Sequence, residues 1–341
     1  MLDPRARARF RKNRGALVGS GLVAALLLFA AVGPLVAGAD PNVSDFVHGI
    51  SPAETPVGPG SAHLLGTDRL FRDELARLAY GARLSLVVGL AATAIASVLG
   101  AMVGIVAGYY EGTEGVRVPW CAVGALFLGL LCVVAGHPVR ALAPLAAAGG
   151  LWVYAAVTRK DALLQGPRIN GDVALMRVVD VGLSFPFLLL VMAIGAALDR
   201  TTVTSILVTL GLTGWLGTAR VVRAKTMQIR NLEFVVASRA LGQSTAHILF
   251  RHVLPNVAGP LIVIATVSVA QMIVAESVLS YLGVGVSPPT ATWGHMLFEG
   301  QDYYLAAPWL FLAPTFAVLL AVFGFNLLGE GLRDALDPRE E

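Results

Sequence analysis

Residues Arg83 to Gly108 read RLSLVVGLAATAIASVLGAMVGIVAG. After Arg83 no charged side chain occurs until Glu111. A helix needs about 20 mostly apolar residues to cross a bilayer, so this stretch predicts a membrane span. Working outward, similar apolar segments occur at 16–38, 119–136, 141–157, 174–198, 202–222, 258–284 and 306–328. The pattern predicts an all-α polytopic membrane protein with about eight transmembrane helices. Segments 119–136 and 141–157 are the shortest and are also compatible with a re-entrant hairpin. Arg117 and Arg159-Lys160 flank them on one side, which points to a two-span hairpin with its tip on the other.

Composition agrees. Only 14% of the 341 residues are charged and 56% are hydrophobic, against about 25% charged in a soluble domain. That excludes a disordered chain, a collagen-like fibre, a disulfide scaffold and an ordinary soluble enzyme. A net charge of +3 is too small to suggest nucleic acid. Cys121 and Cys132 lie within one apolar run without His or acidic neighbours, and read as small core residues.

The apolar run 16–38 follows basic residues Arg5 to Arg14 and resembles a signal peptide. It is longer than the 7–15 residues of a signal core, so an uncleaved anchor helix is expected. With the N-terminal tail inside and the spans alternating, inner segments hold 18 Lys and Arg and outer ones 5. This asymmetry places both termini in the cytoplasm.

The expected organisation is a basic cytoplasmic tail (1–15), an anchor helix (16–38), an external segment (39–82), a transmembrane domain (83–328) and a cytoplasmic tail (329–341). Within the domain, 223–257 is too charged to insert: Lys225, Arg230, Glu233, Arg239 and Arg251 would each cost about 3 kcal/mol at mid-bilayer. It predicts two short amphipathic helices on the inner face. Asn231 caps the first, Gly242 forms the elbow, Ser244 caps the second and Pro255 ends it. Apolar Phe234, Val235, Ile248, Leu249 and Phe250 in a water-exposed loop point to a protein partner.

Enzyme constellations are missing. None of the three lysines follows a glycine, so there is no phosphate-cradling GK loop. No GxSxG, HExxH or CxxC occurs. His247 and His252 are five apart, a poor spacing for one α-helical face. No catalytic residue, metal or cofactor is expected. Arg177 and Asp180, three apart, read as a self-neutralising pair. Glu276, an acid within a span, should face the bundle or a cavity and reads either as a structurally paired residue or as the one candidate for lining a translocation path.

Four blocks carry a family resemblance. GTDRLFRDELARLAYGARLSLVVG (66–89) resembles the opening of permease subunits of dipeptide, oligopeptide and nickel ABC importers. FVVASRALG and HVLPN (234–256) resemble their cytoplasmic "EAA" loop, and ESVLSYLGVGVSPPTATWGHML (276–297) and FNLLGEGLRDALDPR (325–339) their closing segments. The resemblance implies a type I importer permease fold in a bacterial inner membrane, working by alternating access as a heterodimer with a second permease. It implies two ATPase subunits on the cytoplasmic face and an external solute-binding protein.

The implied ATPase-coupling loop comprises Glu233, Phe234, Val236, Ala237, Ser238, Arg239, Gly242, Leu254 and Pro255. By position Val236, Ala237, Ser238 and Gly242 stand for the motif's Glu, Ala, Ala and Gly. Three departures stand out. Val236 replaces the motif acid, Phe71 stands where the family has glycine, and 113–170 is an inserted two-helix hairpin expected on the bundle's periphery. The implied function is half of a translocation path for peptides. The alternatives are nickel or another small solute, or, in a different class, a stand-alone secondary transporter.

Overall fold

The computed structural model describes residues 4–51, 55–112, 116–117, 143, 146–147, 150, 168–197 and 202–336. Among them the chain is almost wholly helical. In order come α1 (Pro4–Lys12), α2 (Arg14–Ala37), α3 (Glu74–Tyr109), α4 (Gly171–Ser184), α5 (Phe187–Ala197) and α6 (Val203–Ile229). Then follow α7 (Glu233–Ala240), α8 (Thr245–Ile248), a π-turn (Leu249–Val253), α9 (Leu254–Tyr281), α10 (Trp293–Gly300) and α11 (Trp309–Leu336). Local chemistry sets several starts. Asn13 accepts the Ala16 amide at the head of α2, and Thr202 and Ser205 form a reciprocal capping box on α6.

Helices α2, α3, α6, the continuous 245–281 helix and α11 are each long and apolar enough to cross a membrane. The segment expected at 174–198 is a broken one: α4 and α5 meet at an 89° bend. Pro186 explains the break, because it disfavours helical geometry at Phe185. Counting that pair, six candidate spans match six of the expected eight among the described residues.

Two compact units divide the chain, 106–180 and the remainder. The smaller contains an antiparallel pairing of β1 (Val116–Arg117) with β2 (Arg168–Ile169), which joins the two ends of the inserted segment. The expected helices 119–136 and 141–157 lie almost entirely outside the described residues.

The larger unit is built on α3 and α9. One side packs Val23, Leu26 and Ala30 of α2, Ala317, Ala321 and Phe325 of α11, and Trp293 of α10 against Leu78, Ala82, Leu86, Val269 and Ile273. The other packs Val191 of α5 and Ile206 and Leu210 of α6 against Val88, Ala92, Met272 and Ala275. With no water to expel between spans, close packing does the work. Gly100 and Gly104, four apart on α3, allow this: a Cβ on Gly104 would lie 2.6 Å from the Ala219 carbonyl of α6.

Candidate coupling loop and translocation groove

The 230–256 segment differs from expectation at both helix boundaries. Asn231 does not cap α7; Leu232 occupies that position, and the Asn231 amide donates back to the Met227 carbonyl at the end of α6. Pro255 does not end the second helix. Thr245 to Tyr281 is continuous, and Pro255 sits in the first turn of α9. The π-turn accounts for this. The Leu254 amide reaches the Leu249 carbonyl five residues back, which makes room for a ring that would otherwise clash with a carbonyl four residues back. The candidate coupling segment is thus fused directly to a span.

Ser244 caps α8, accepting the His247 amide, and Gly242 makes the elbow at φ +76°. Val235, Ser238, Ile248 and Val253 are buried between the two arms. Ser238 Oγ donates to the Phe234 carbonyl at 2.8 Å and lies 3.2 Å from His252 Nε2. His252 also meets the rings of Phe234 and His247 at 5.8 and 6.0 Å. The i,i+5 spacing that suits no α-helical face works here because a π-turn stacks residues five apart. His252 was not among the expected site residues. Glu233, Ala237, Arg239 and Pro255 are exposed, and so are Phe234, Val236, Leu241 and Phe250. Leu254 is half-buried.

For Glu276 the structure shows pairing, and Glu276 is not among the residues that line the groove described below. It is fully buried, accepting Ser85 Oγ at 2.9 Å and Ser280 Oγ at 2.8 Å. Ser85 lies on α3, so these hydroxyls satisfy the acid within the helix packing.

The polar lining lies elsewhere. A groove of about 580 Å³ opens between the α4–α5 break, α6, α9 and α11. Its residues, including Thr213, Gly217, Ser268, Gln271 and Asn326, fall near the middle of their helices. The side chains of Gln271 and Asn326 are exposed and make no hydrogen bond among the described residues. Bare amides at mid-span are costly against lipid tails. Mid-span amides in otherwise apolar helices were the overlooked signal.

At the opposite end of α9 from the 230–256 segment lies a buried charge cluster. Glu299 of α10 accepts Arg77 Nη2 at 2.6 Å and Arg72 Nη2 at 2.9 Å. Asp68 accepts Arg72 Nε at 2.6 Å and lies 3.1 Å from Arg77 Nε. His295 and the half-exposed Arg69 each come within 3.5 Å of Glu299. Asp73 caps α3, accepting the Ala76 amide, and pairs with the buried His63 at 2.8 Å. Thus 66–77 is folded around its own charges. Within it Phe71 has φ +61°, a left-handed conformation that strains a bulky residue and suits the glycine the family resemblance leads one to expect. Its ring packs edge-on against Phe46. Sequence order does not bring Arg72 and Arg77 near Glu299, which lies more than 200 positions away.

Residues 162–341 match the family model of the binding-protein-dependent transport system inner membrane component. Residues 5–52 match the N-terminal transmembrane domain of oligopeptide transport permease C. The chain belongs to the binding-protein-dependent transport permeases. This permease is 31% identical to the oligopeptide transport system permease protein OppC of Bacillus subtilis, over 98% of its own length and 88% of that protein. It is 34% identical to the di/tripeptide transport system permease protein DppC of Pseudomonas aeruginosa, over 97% and 90%. It is 31% identical to the dipeptide transport system permease protein DppC of Alkalihalophilus pseudofirmus, over 97% and 88%. The permease is a multi-pass membrane protein with the type I importer fold, a subunit of an ABC importer.

Proposed function

We propose that the permease forms half of a path for peptides across a bacterial inner membrane, paired with a second permease. Both termini lie in the cytoplasm, an external binding protein delivers the peptide, and ATP is hydrolysed on two partner subunits. The permease itself is not catalytic. The groove carries this reading. Gln271 and Asn326 offer amide donors and acceptors that match the repeating amide of a peptide backbone and read no particular side chain.

The test is uptake of a labelled tripeptide by cells lacking this permease and complemented with variants. Wild type restores uptake. Gln271→Leu with Asn326→Leu lowers it about tenfold or more, while the ATPase subunits still co-purify. Uptake at the wild-type level in the double variant, or restored uptake of nickel and not of the tripeptide, refutes the reading.

The coupling loop is the surface on which the ATPase docks. Its exposed Phe234 and Val236 fit an apolar groove, and the fusion of α8 to α9 passes movement of the docked subunit to a span. Glu233 and Val236 are three apart and both exposed on α7, so Glu233 supplies the charge that Val236 lacks. Glu233→Gln is expected to weaken co-purification of the ATPase several-fold, whereas Val236→Glu is tolerated. Unchanged co-purification of Glu233→Gln removes the compensation.

A further inference from the structure

Between α1 and the last turns of α11 lies a cavity of about 580 Å³. Arg7, Arg11 and Lys12 stand on one wall, beside Phe10; Leu332 and Leu336 form the other. Arg7 and Arg11, four apart, share a helix face. The three cations are exposed, and none has an acidic partner among the described residues. Helix α1 carries no acid. Of the acids on the last turns of α11, Asp334 accepts the Asn13 amide at 2.8 Å and Glu330 is exposed.

Position limits what can occupy this cavity. Helix α1 ends at Lys12 and the α2 span begins at Arg14. The wall opposite the cations is the end of another span. The cavity therefore sits where a span leaves the membrane, charged on one side and greasy on the other. Basic clusters next to a span attract anionic headgroups, by about fivefold in affinity per Lys or Arg. A soluble phosphate would use the cations and leave Phe10, Leu332 and Leu336 without a role. A lipid uses both.

We propose that this cavity binds an anionic phospholipid of the cytoplasmic leaflet. The phosphate lies against Arg7, Arg11 and Lys12, and an acyl chain against Phe10, Leu332 and Leu336. The choice of leaflet rests on the proposed cytoplasmic termini; the choice of lipid does not.

Native mass spectrometry of the full chain in detergent, titrated with phosphatidylglycerol, phosphatidylcholine or inorganic phosphate, tests the lipid. Wild type should retain phosphatidylglycerol at least about tenfold more tightly than phosphatidylcholine, given three basic groups at about fivefold each. Arg7→Gln, Arg11→Gln and Lys12→Gln together should remove that preference, and Arg7→Lys with Arg11→Lys should keep it. Millimolar inorganic phosphate should not displace the lipid. Equal retention of the two lipids by wild type, an unchanged preference in the triple variant, or displacement by phosphate overturns the proposal. The leaflet is read separately from an Ala8→Cys variant with Cys121 and Cys132 replaced. Labelling of this cysteine by an impermeant reagent from the external side would overturn the topology and leave the lipid site standing.

Discussion

Glu299→Ala is expected to destabilise the permease by about 3–5 kcal/mol, the usual cost of leaving a buried charge unpaired. Arg77 is fully buried and Arg72 nearly so. Removing Glu299 takes away one of the two acids that pair directly with them, leaving Asp68 in contact and the buried Glu74 at longer range. Thermal unfolding in detergent reads the effect, and Glu299→Gln, which keeps the volume and drops the charge, should recover little of it. A loss under about 1 kcal/mol would mean that the cluster is wet and weakly paired.

The same carboxyl makes a pH prediction. Burial pushes it upward, but the His295 hydrogen bond and the charges of Arg77 and Arg72 outweigh burial and hold it at about 2, below its ordinary 4.5. A depressed folded-state value means that the contribution is fully present above pH 4.5 and is lost as pH falls toward 2. The unfolding midpoint of wild type should fall across that window, and the fall should be smaller in Glu299→Gln. Equal falls in both would place the acid sensitivity elsewhere.

Gly242→Val is expected to lower solute-stimulated ATP hydrolysis by at least about tenfold while the complex still assembles. The elbow holds φ +76°, where a β-branched residue is strained by about 1–3 kcal/mol. Nothing lies within 4 Å of a Cβ placed there, so the penalty is conformational and the arms of the loop must re-aim. Asparagine tolerates this region. Gly242→Asn should therefore retain most activity, which separates backbone strain from any loss of small size. ATPase stimulation at the wild-type level in Gly242→Val would remove the elbow from the coupling route.

The 230–256 segment shows where reading residues in order succeeds and where it stops. Gly242 and Ser244 were legible because a left-handed elbow and an N-cap are local chemistry. Pro255 misled because proline ordinarily ends a helix. Here a π-turn, whose i→i+5 bonds no propensity announces, carries the helix through it. The same turn brings His252 beside His247 and Ser238, although a spacing of five argued against a shared face.

Membrane spanning was also written locally, since about 20 apolar residues in a row leave a helix few alternatives to the bilayer. Among the described residues five of the expected spans appear as single apolar helices and a sixth as a bent pair for that reason, and the family followed from contiguous motifs. Function within the membrane was not legible in that way. Glu276 was the conspicuous residue because a charge in a span is rare. Yet whether an acid is enclosed or lines a path depends on what packs against it, and Ser85 lies 191 positions away. Gln271, five residues earlier, looked unremarked in sequence, and only the gap left between α6, α9 and α11 exposes it. Likewise Asp68, Arg72 and Arg77 look like ordinary loop and helix-end charges until α10 brings Glu299 among them. Apolar length and local turn chemistry decided the helices and their order. Which polar groups are buried, which are bare and which are paired came from contacts between helices far apart in the chain, because desolvation and charge pairing act through space.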